Sequence, residues 1–234
     1  GAAEASDLLL IATPDAAIPE VAAQLMAEGG VHDRHAVLHL SGLLDRGALA
    51  PLQPTGAGLG SFHPLQTVAD PETAPSRFRG AYAGVEGDGS AVGAGEALAR
   101  LLGMTPVPIA GRAKAAYHVG ATLVANYSVV LMGMAMRLAE GAGVPADTAA
   151  RMYLPLLHGA SENLSALGPV RALTGAVRRG DTGTVAAHLA ALSGADRAVY
   201  AVVGLEALVL ARSAGLGPEA AEALERMLTE AARG

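Results

Sequence analysis

Lys114 is the only lysine in this sequence, whereas fifteen other positions carry arginine. The two residue types differ chemically: an ammonium can lose its proton when it is buried and can act as a compact acid, but a guanidinium stays charged. The composition therefore marks Lys114 as a candidate proton donor. A surface lysine retained near the start of a helix is the alternative explanation.

Polar side chains recur every four residues after Lys114, at His118, Thr122 and Asn126, in a segment that is otherwise mainly small or apolar. Because each residue turns the helix by about 100°, each member of this row lies about 40° further around the helix axis than the member before it. Neighbouring members therefore touch, and the row winds slowly across one helix face. Buried polar groups need partners, which favours a row that faces a cleft. A solvated stripe on the helix surface is the alternative.

Four further histidines are candidate ligands for a substrate or a metal. His63 ends an apolar run beside Pro64 and could point from the end of a strand into a ligand crevice, or it could be a structural histidine bonded to a carbonyl. His32, His35 and His39 lie where a loop enters a strand. With no cysteine and no His-Glu-x-x-His pattern, we expect no metal site.

The first half of the chain alternates strand-like and helical segments. This alternation predicts a sheet with helices packed on it. After Gly111 only helical periodicity remains, broken by Gly and Pro, so we predict an α/β domain over 1–110 and an all-α domain over 111–234. Predicted strands lie in "SDLLLIATPD", "HAVLHLSG", "GAGLGSFHPLQT", "GAYAGVEG" and "MTPVPIA", and helices in "AAIPEVAAQLMAEGG" and "SAVGAGEALARLLG".

Composition restricts the classes of partner. A net charge of −6 and 3% aromatic residues argue against nucleic acid. The absence of cysteine fits a reducing cytoplasm. The uncharged run from Ala115 to Met136 is long enough to cross a bilayer, but its polar side chains and two glycines favour a wholly buried helix in a soluble protein, so no membrane is expected.

Two glycine clusters suggest a dinucleotide fingerprint only weakly. "GAGLG" at 56–60 precedes a strand, so it cannot present the N–H groups of a helix to a pyrophosphate, and a turn is predicted instead. "GDGSAVGAG" at 87–95 follows a strand and opens a helix, but its spacing differs from the fingerprint. Asp88 would also place a carboxylate where phosphates should lie.

Four motifs, "LHLSG", "GSFHPLQT", "KAAYH…AN" and "LTG…RGD…TV…HL", appear in order and cover most of the chain. Together they resemble a family of NADP-dependent oxidoreductases that has not been characterised. That family is related to the 6-phosphogluconate and β-hydroxyacid dehydrogenases, ketopantoate reductase and pyrroline-5-carboxylate reductase. The resemblance implies a partial Rossmann-like domain with a parallel sheet, followed by a helical domain similar to the C-terminal domain of 6-phosphogluconate dehydrogenase. The turn at 173–176 departs from the pattern, because it reads "LTGA" where "LTGP" is expected.

The resemblance also implies roles for individual residues. Lys114 matches a lysine that handles the substrate's oxygen, and His118 stands where those enzymes have asparagine. Asn163 and Thr174 would face the same cleft, although helix capping explains them almost as well. The loops lining the nicotinamide of NADP, or of NAD, would be formed by Ala12, Thr13, Pro14, Asp15, Ser41 and Gly42.

The strand, Gly-rich turn and helix that hold the pyrophosphate in such enzymes have no counterpart in this sequence. We therefore expect weak dinucleotide binding by the chain as given. Two functions remain open. One is an NAD(P)-dependent oxidoreductase acting on a small polar keto, hydroxy or imino acid, with catalysis by Lys114, His118 and Asn126 and substrate contacts from His63 and Thr122. The other is a non-catalytic binding or assembly module.

The helical half is expected to form a homodimer. The run from Ala115 to Met136 and the segment "AVYAVVGLEALVLA" offer more apolar surface than a small bundle can bury alone.

Overall fold

The first half of the chain forms a five-stranded sheet in which the spatial order of the strands follows the sequence. The structure is a computed structural model that describes residues 5–70 and 72–233. All five predicted strands are confirmed: β1 Leu8–Ile11, β2 Ala36–His39, β3 Gly58–Leu65, β4 Tyr82–Gly87 and β5 Thr105–Pro108.

One strand pair runs in the opposite sense. β1, β2 and β3 are parallel, as are β4 and β5, but β3 and β4 are antiparallel. Between β3 and β4, the residues that the structure describes form one short helix, α2, Ala74–Phe78. A parallel crossover has to return along the full strand, usually through a longer helix, whereas an antiparallel neighbour can start at the same end. The expected parallel sheet is therefore mostly parallel.

Both faces of the sheet are packed, because successive side chains of a strand point to opposite sides. Val37 and Leu59 join one core cluster with α1, Ile18–Glu28, and with the 3₁₀ segment Arg46–Thr55. Leu38 and Phe62 join a second cluster with α3, Gly89–Leu101. The two predicted helices are thus confirmed as α1 and α3.

From Gly111 onward the described chain contains helices and turns, as predicted. The long helix α4, Lys114–Gly141, follows a short 3₁₀ turn at Gly111–Ala113. The remaining helices are α5 Ala146–Met152, α6 Leu154–Leu167, α7 Pro169–Ala172, α8 Gly175–Arg179, α9 Thr182–Ala191, α10 Gly194–Ser213 and α11 Pro218–Arg233.

Residue contacts divide the chain into two compact units, Gly1–Val129 and Val130–Gly234. The division falls inside α4, whereas the secondary structure changes near residue 110, where we predicted the domain boundary. In the second unit, α10 packs against α11 around Leu208, Leu224 and Leu228. A Cβ at Gly204 would lie 2.8 Å from Leu228 Cδ2, so glycine permits this close approach.

The expectation that α4 is buried is wrong. Only 6% of its most apolar 18-residue window is buried, and Val119, Leu123, Val124 and Val129 are exposed. The described residues leave these side chains uncovered. By length and composition the helix could cross a membrane, but a single helix of this kind is weak evidence for a membrane protein.

Candidate active site

Polar side chains are aligned on one face of the sheet. In the strand register, His39 of β2 lies opposite Ser61 of β3, and Ser61 lies opposite Glu86 of β4. Leu59, two residues before Ser61, faces the same side and belongs to the core. This face therefore changes from apolar to polar at Ser61, and all three polar side chains are buried.

Lys114, the first residue of α4, is buried against this row. Its Nζ donates to the backbone oxygen of Ser41 at 2.9 Å and to Ser61 Oγ at 2.6 Å. An ammonium has three N–H groups, so one donor remains for another acceptor. Burial lowers the pKa of Lys114, while the carboxylates of Glu86, Asp45 and Asp15 act to raise it. The lone lysine is therefore a buried, hydrogen-bonded ammonium and not a surface charge, and its burial makes it a stronger acid than an exposed lysine.

The carboxylate of Glu86 is linked to Lys114 by hydrogen bonds through the Ser61 hydroxyl. The Ser61 hydroxyl donates to Glu86 Oε2 at 3.2 Å, and the backbone N–H of Arg46 donates to the same oxygen at 2.9 Å. Burial raises the pKa of Glu86, whereas the hydrogen bond from Arg46 and the charge of Lys114 oppose the change. Glu86 can therefore hold a proton more readily than an exposed carboxyl group.

The loops after β1 and β2 are joined by Ser41. Its hydroxyl donates to Asp15 Oδ2 at 2.7 Å and accepts from the backbone N–H groups of Leu43 and Leu44. His39 Nδ1 accepts from the Ser41 N–H at 3.2 Å, and His39 Nε2 donates to the Asp45 carbonyl at 3.0 Å. These bonds fix the Ser41 carbonyl that holds Lys114.

Three ring side chains lie together beside this network. His63 Nδ1 is 3.0 Å from the Tyr117 hydroxyl, and the rings of His63 and His118 meet edge to face with centroids 5.6 Å apart. Burial, assisted by the charges of His118 and Lys114, lowers the pKa of His63 to about 4, so His63 is neutral near pH 7. Burial raises the pKa of Tyr117.

His118 Nδ1 is a buried atom for which the structure describes no hydrogen-bond partner. A buried polar atom without a partner is costly, and a bound ligand is one way to satisfy it. Gly42 lies against this atom: a Cβ there would be 2.5 Å from His118 Nδ1 and 2.8 Å from His63 Nε2. The glycine of the "LHLSG" motif thus makes room for both imidazoles.

The predicted site residues separate into two groups. Lys114, His118, His63 and the Ser41–Gly42 turn meet in one cluster, which Asp15 joins through Ser41. The remaining predicted residues of the first unit have no described side-chain hydrogen bond to this cluster. Ala12, Thr13 and Pro14 are exposed beside β1, Thr122 is half-buried, Asn126 is exposed, and Asn163 and Thr174 are exposed residues of the second unit. Thr174 precedes α8 but does not cap it with its side chain.

Ser61, Glu86 and Tyr117 belong to this network but are not among the residues predicted from the sequence. Ser61 lies two residues before His63, so strand alternation would have placed both on one face. Glu86 is a single carboxylate in the otherwise apolar strand segment "GAYAGVEG". Tyr117 lies three residues after Lys114, so its hydroxyl could have been added to the polar row.

A pocket of about 540 Å³ adjoins the carboxylate end of the network. Its lining includes Asp45, Arg46, Glu86, Ile109 and Gly111. Within residues 5–70 and 72–233, no group of three or more His, Cys, Asp or Glu residues is arranged to hold a metal ion.

Comparison with known proteins identifies the family. Residues 81–207 match the domain of unknown function DUF2520, and residues 1–64 match a Rossmann-like domain. The chain belongs to the DUF2520 family. A search of curated protein sequences gave no significant match.

Solved structures share the fold of this DUF2520 chain. Protein TM1727 from Thermotoga maritima is 20% identical with a TM-score of 0.64, and the alignment covers 97% of this chain and 79% of that protein. Protein BF3122 from Bacteroides fragilis, labelled an NADP oxidoreductase, is 19% identical with a TM-score of 0.64 and coverages of 89% and 75%. A reductive aminase from Aspergillus terreus, solved with NADPH and ethyl-5-oxohexanoate, is 21% identical with a TM-score of 0.51 and coverages of 99% and 76%.

The described residues fit one end of a dinucleotide. The ends of β1 and β2 lie side by side, and the unpartnered His118 Nδ1 adjoins the Gly42 backbone next to them. This edge could accept a nicotinamide ring. The phosphates have no comparable site at α3, because Asp88 caps its first turn by accepting from the Ala91 N–H and also accepts from the Leu59 N–H.

Proposed function

We propose that this DUF2520 chain is part of an NAD(P)-dependent oxidoreductase that acts at a C–O or C–N centre of a small polar substrate. Lys114 is the proton donor or oxyanion stabiliser. The observation that supports this assignment is the buried ammonium, which Ser41 and Ser61 hold by two of its three donors. A pure scaffold gains nothing from burying its only lysine in this way, because desolvation of the charge is costly.

Different residues of the chain would position the proton donor and orient the substrate. Ser41 and Ser61 fix the position of the Lys114 ammonium, leaving one N–H for the substrate's oxygen or nitrogen. His118 Nδ1 has no described partner and is available to orient the substrate. A bound nicotinamide would supply or accept the hydride. The family resemblance and the fold shared with NADP-binding proteins support this choice of cofactor.

The substrate is expected to be a keto, hydroxy or imino acid. The positive charge of Lys114 suits a developing oxyanion, and a positioned acid of this kind contributes about 10²- to 10⁴-fold to a rate.

A second candidate is supported by the exposed apolar residues of the helices. Val124 of α4 is 78% exposed, and α6 and α10 carry further exposed leucines and valines. Surfaces of this kind mark association sites. A homodimer is therefore proposed for either function, and a non-catalytic, dimeric assembly module is the alternative to the enzyme.

The deciding experiment follows NADPH and NADH oxidation by the native full-length protein in the presence of small keto acids, with and without ammonia or methylamine. The reverse direction is followed with hydroxy and amino acids. We expect turnover that is lost in Lys114→Met. Failure of every substrate class, in a protein that is folded and dimeric by light scattering, would support the assembly module instead.

A further inference from the structure

Three buried groups form a continuous line of hydrogen bonds that starts at Lys114. Nζ donates to Ser61 Oγ at 2.6 Å, and the Ser61 hydroxyl donates to Glu86 Oε2 at 3.2 Å. The exposed fractions of Lys114, Ser61 and Glu86 are 2%, 0% and 7%. A hydroxyl between an ammonium and a carboxylate accepts from one and donates to the other, which is the arrangement that a proton transfer requires.

The line ends beside solvent. Glu86 lines the pocket of about 540 Å³, together with Asp45 and Gly111. Its second oxygen, Oε1, accepts no hydrogen bond from the described residues and is not among their fully buried, unpartnered atoms. A Cβ at Gly111 would lie 3.4 Å from this oxygen, so glycine keeps the space beside it open. Water in the pocket can therefore reach Glu86.

We propose that Ser61 and Glu86 form a proton relay that returns a proton from the pocket to Lys114 after each turnover. The role in turnover rests on the proposed function. The relay itself is a property of the folded chain and can be measured without substrate or cofactor.

Each turnover moves one proton along the line. Lys114 gives one proton to the substrate and becomes a neutral amine. The Ser61 hydroxyl then passes its proton to Nζ while protonated Glu86 passes its proton to Ser61 Oγ, so the amine becomes an ammonium and the carboxylic acid becomes a carboxylate. Water in the pocket reprotonates Glu86. No group is oxidised or reduced in these steps.

The charged groups around the relay support it. Lys114 is faced by Glu86 from β4, by His39 from β2, by His63 from β3, and by Asp15 and Asp45 from two loops. Burial raises the pKa of Glu86 and lowers that of Lys114. The two changes bring the proton affinities of the groups at the ends of the line closer together, which favours transfer between them.

The only lysine of the chain gives a selective measurement. Lysine labelled with ¹³C at Cε and ¹⁵N at Nζ yields one ammonium signal in the 234-residue chain, provided that any purification tag lacks lysine. The exchange of its Nζ protons with water is then measured by NMR at several pH values. Wild type is compared with Ser61→Ala, Glu86→Gln and the control Asp45→Asn.

We expect proton exchange at Nζ to slow by about tenfold or more in both Ser61→Ala and Glu86→Gln, because each breaks the line. Asp45→Asn removes a nearby carboxylate that raises the pKa of Lys114 but has no hydrogen bond to it, so exchange should stay within about twofold of wild type. Ser61→Thr keeps the hydroxyl and should restore most of the exchange lost in Ser61→Ala.

An exchange rate equal to that of wild type in a folded Ser61→Ala chain would overturn the relay. It would show that exchange does not need the Ser61 hydroxyl and that Glu86 acts on Lys114 only through its charge. If Ser61→Ala fails to fold, Glu86→Gln decides: unchanged exchange there overturns the relay, and slowed exchange compared with Asp45→Asn supports it. These results hold even if the full-length protein shows no oxidoreductase activity, so failure of the relay and failure of the proposed function are distinguished.

Discussion

Gly42 lies so close to His118 that a Cβ carbon at this position would be 2.5 Å from the imidazole Nδ1. The turn after β2 and the first part of α4 therefore meet at a point that accepts no side chain.

The Gly42→Ala substitution is expected to destabilise the chain by about 1–3 kcal/mol, because the added methyl group must displace His118 or His63. Gly89→Ala is the matched control. It adds the same methyl group at the first residue of α3, where nothing lies within 4 Å, and should be neutral or slightly stabilising. Urea denaturation of both variants gives the comparison, and equal stabilities would show that the cluster can rearrange freely.

Lys114→Arg and Lys114→Met are expected to lower kcat/KM to a similar extent, by about 10²-fold or more, which is roughly 3 kcal/mol. The guanidinium is larger than the ammonium and cannot release its proton, so retained charge would not rescue activity. The measurement uses the native full-length protein with a substrate found by screening. Activity of Lys114→Arg within about threefold of wild type, or early melting of both variants, would make Lys114 a structural residue.

Acid should destabilise the chain through His63. Its pKa is about 4 in the folded state and 6.5 when unperturbed. Between these values the unfolded chain binds a proton that the folded chain does not, so the free energy of unfolding falls as the pH is lowered from 6.5 to 4.

His63→Asn should remove up to about 1–3 kcal/mol of that pH dependence. Denaturation is measured at pH 4, 5, 6 and 7, with His158→Asn, at an exposed position of α6, as the control for the substitution itself. Identical pH profiles for wild type and His63→Asn would contradict the assignment.

NADPH binding by the 234-residue chain is expected to be weaker than a Kd of about 1 μM, or roughly −8 kcal/mol. The loops after β1 and β2 provide contacts for a ring, but Asp88 occupies the N-terminus of α3, where phosphates could otherwise bind. Isothermal titration calorimetry decides the question. A tighter Kd would mean that the described residues contain a phosphate site that we have not recognised.

The chain is expected to be a dimer at micromolar concentration, with α4 in the interface. Val124→Glu, on the exposed face of α4, should shift the mass towards the monomer because a charge there cannot be buried cheaply. Leu101→Glu is the matched control, since Leu101 is 83% exposed on α3, outside the helical half. Light scattering gives the masses. A soluble monomeric wild type would refute the dimer.

Much of the fold followed from local pattern. Apolar runs bounded by Gly, Pro and Asp located every strand of the sheet, because such turn residues end regular structure by their own conformational preferences. The antiparallel pairing of β3 and β4 was not visible in this way, since strand direction depends on the length and path of the connection and not on the residues of the strands.

The site was only partly predictable. The four-residue spacing predicted that Lys114 and His118 share a helix face, and both lie beside the Ser41–Gly42 turn. The same spacing turns about 40° at each step, so Asn126 points about 120° away from Lys114 and is exposed. Glu86 comes from a different strand, and its contact with Ser61 depends on the register of β3 and β4. Single-sequence periodicity carries no information about such register.

The burial of Lys114 makes the chain almost resistant to a lysine-specific endoproteinase. Such an enzyme has one peptide bond to cleave, between Lys114 and Ala115, and it cannot reach that bond while the side chain is held by Ser41 and Ser61. Cleavage requires the start of α4 to leave the sheet. The rate at which the two fragments appear therefore reports how often this helix start opens in the native protein, and any ligand that binds beside Lys114 should slow it.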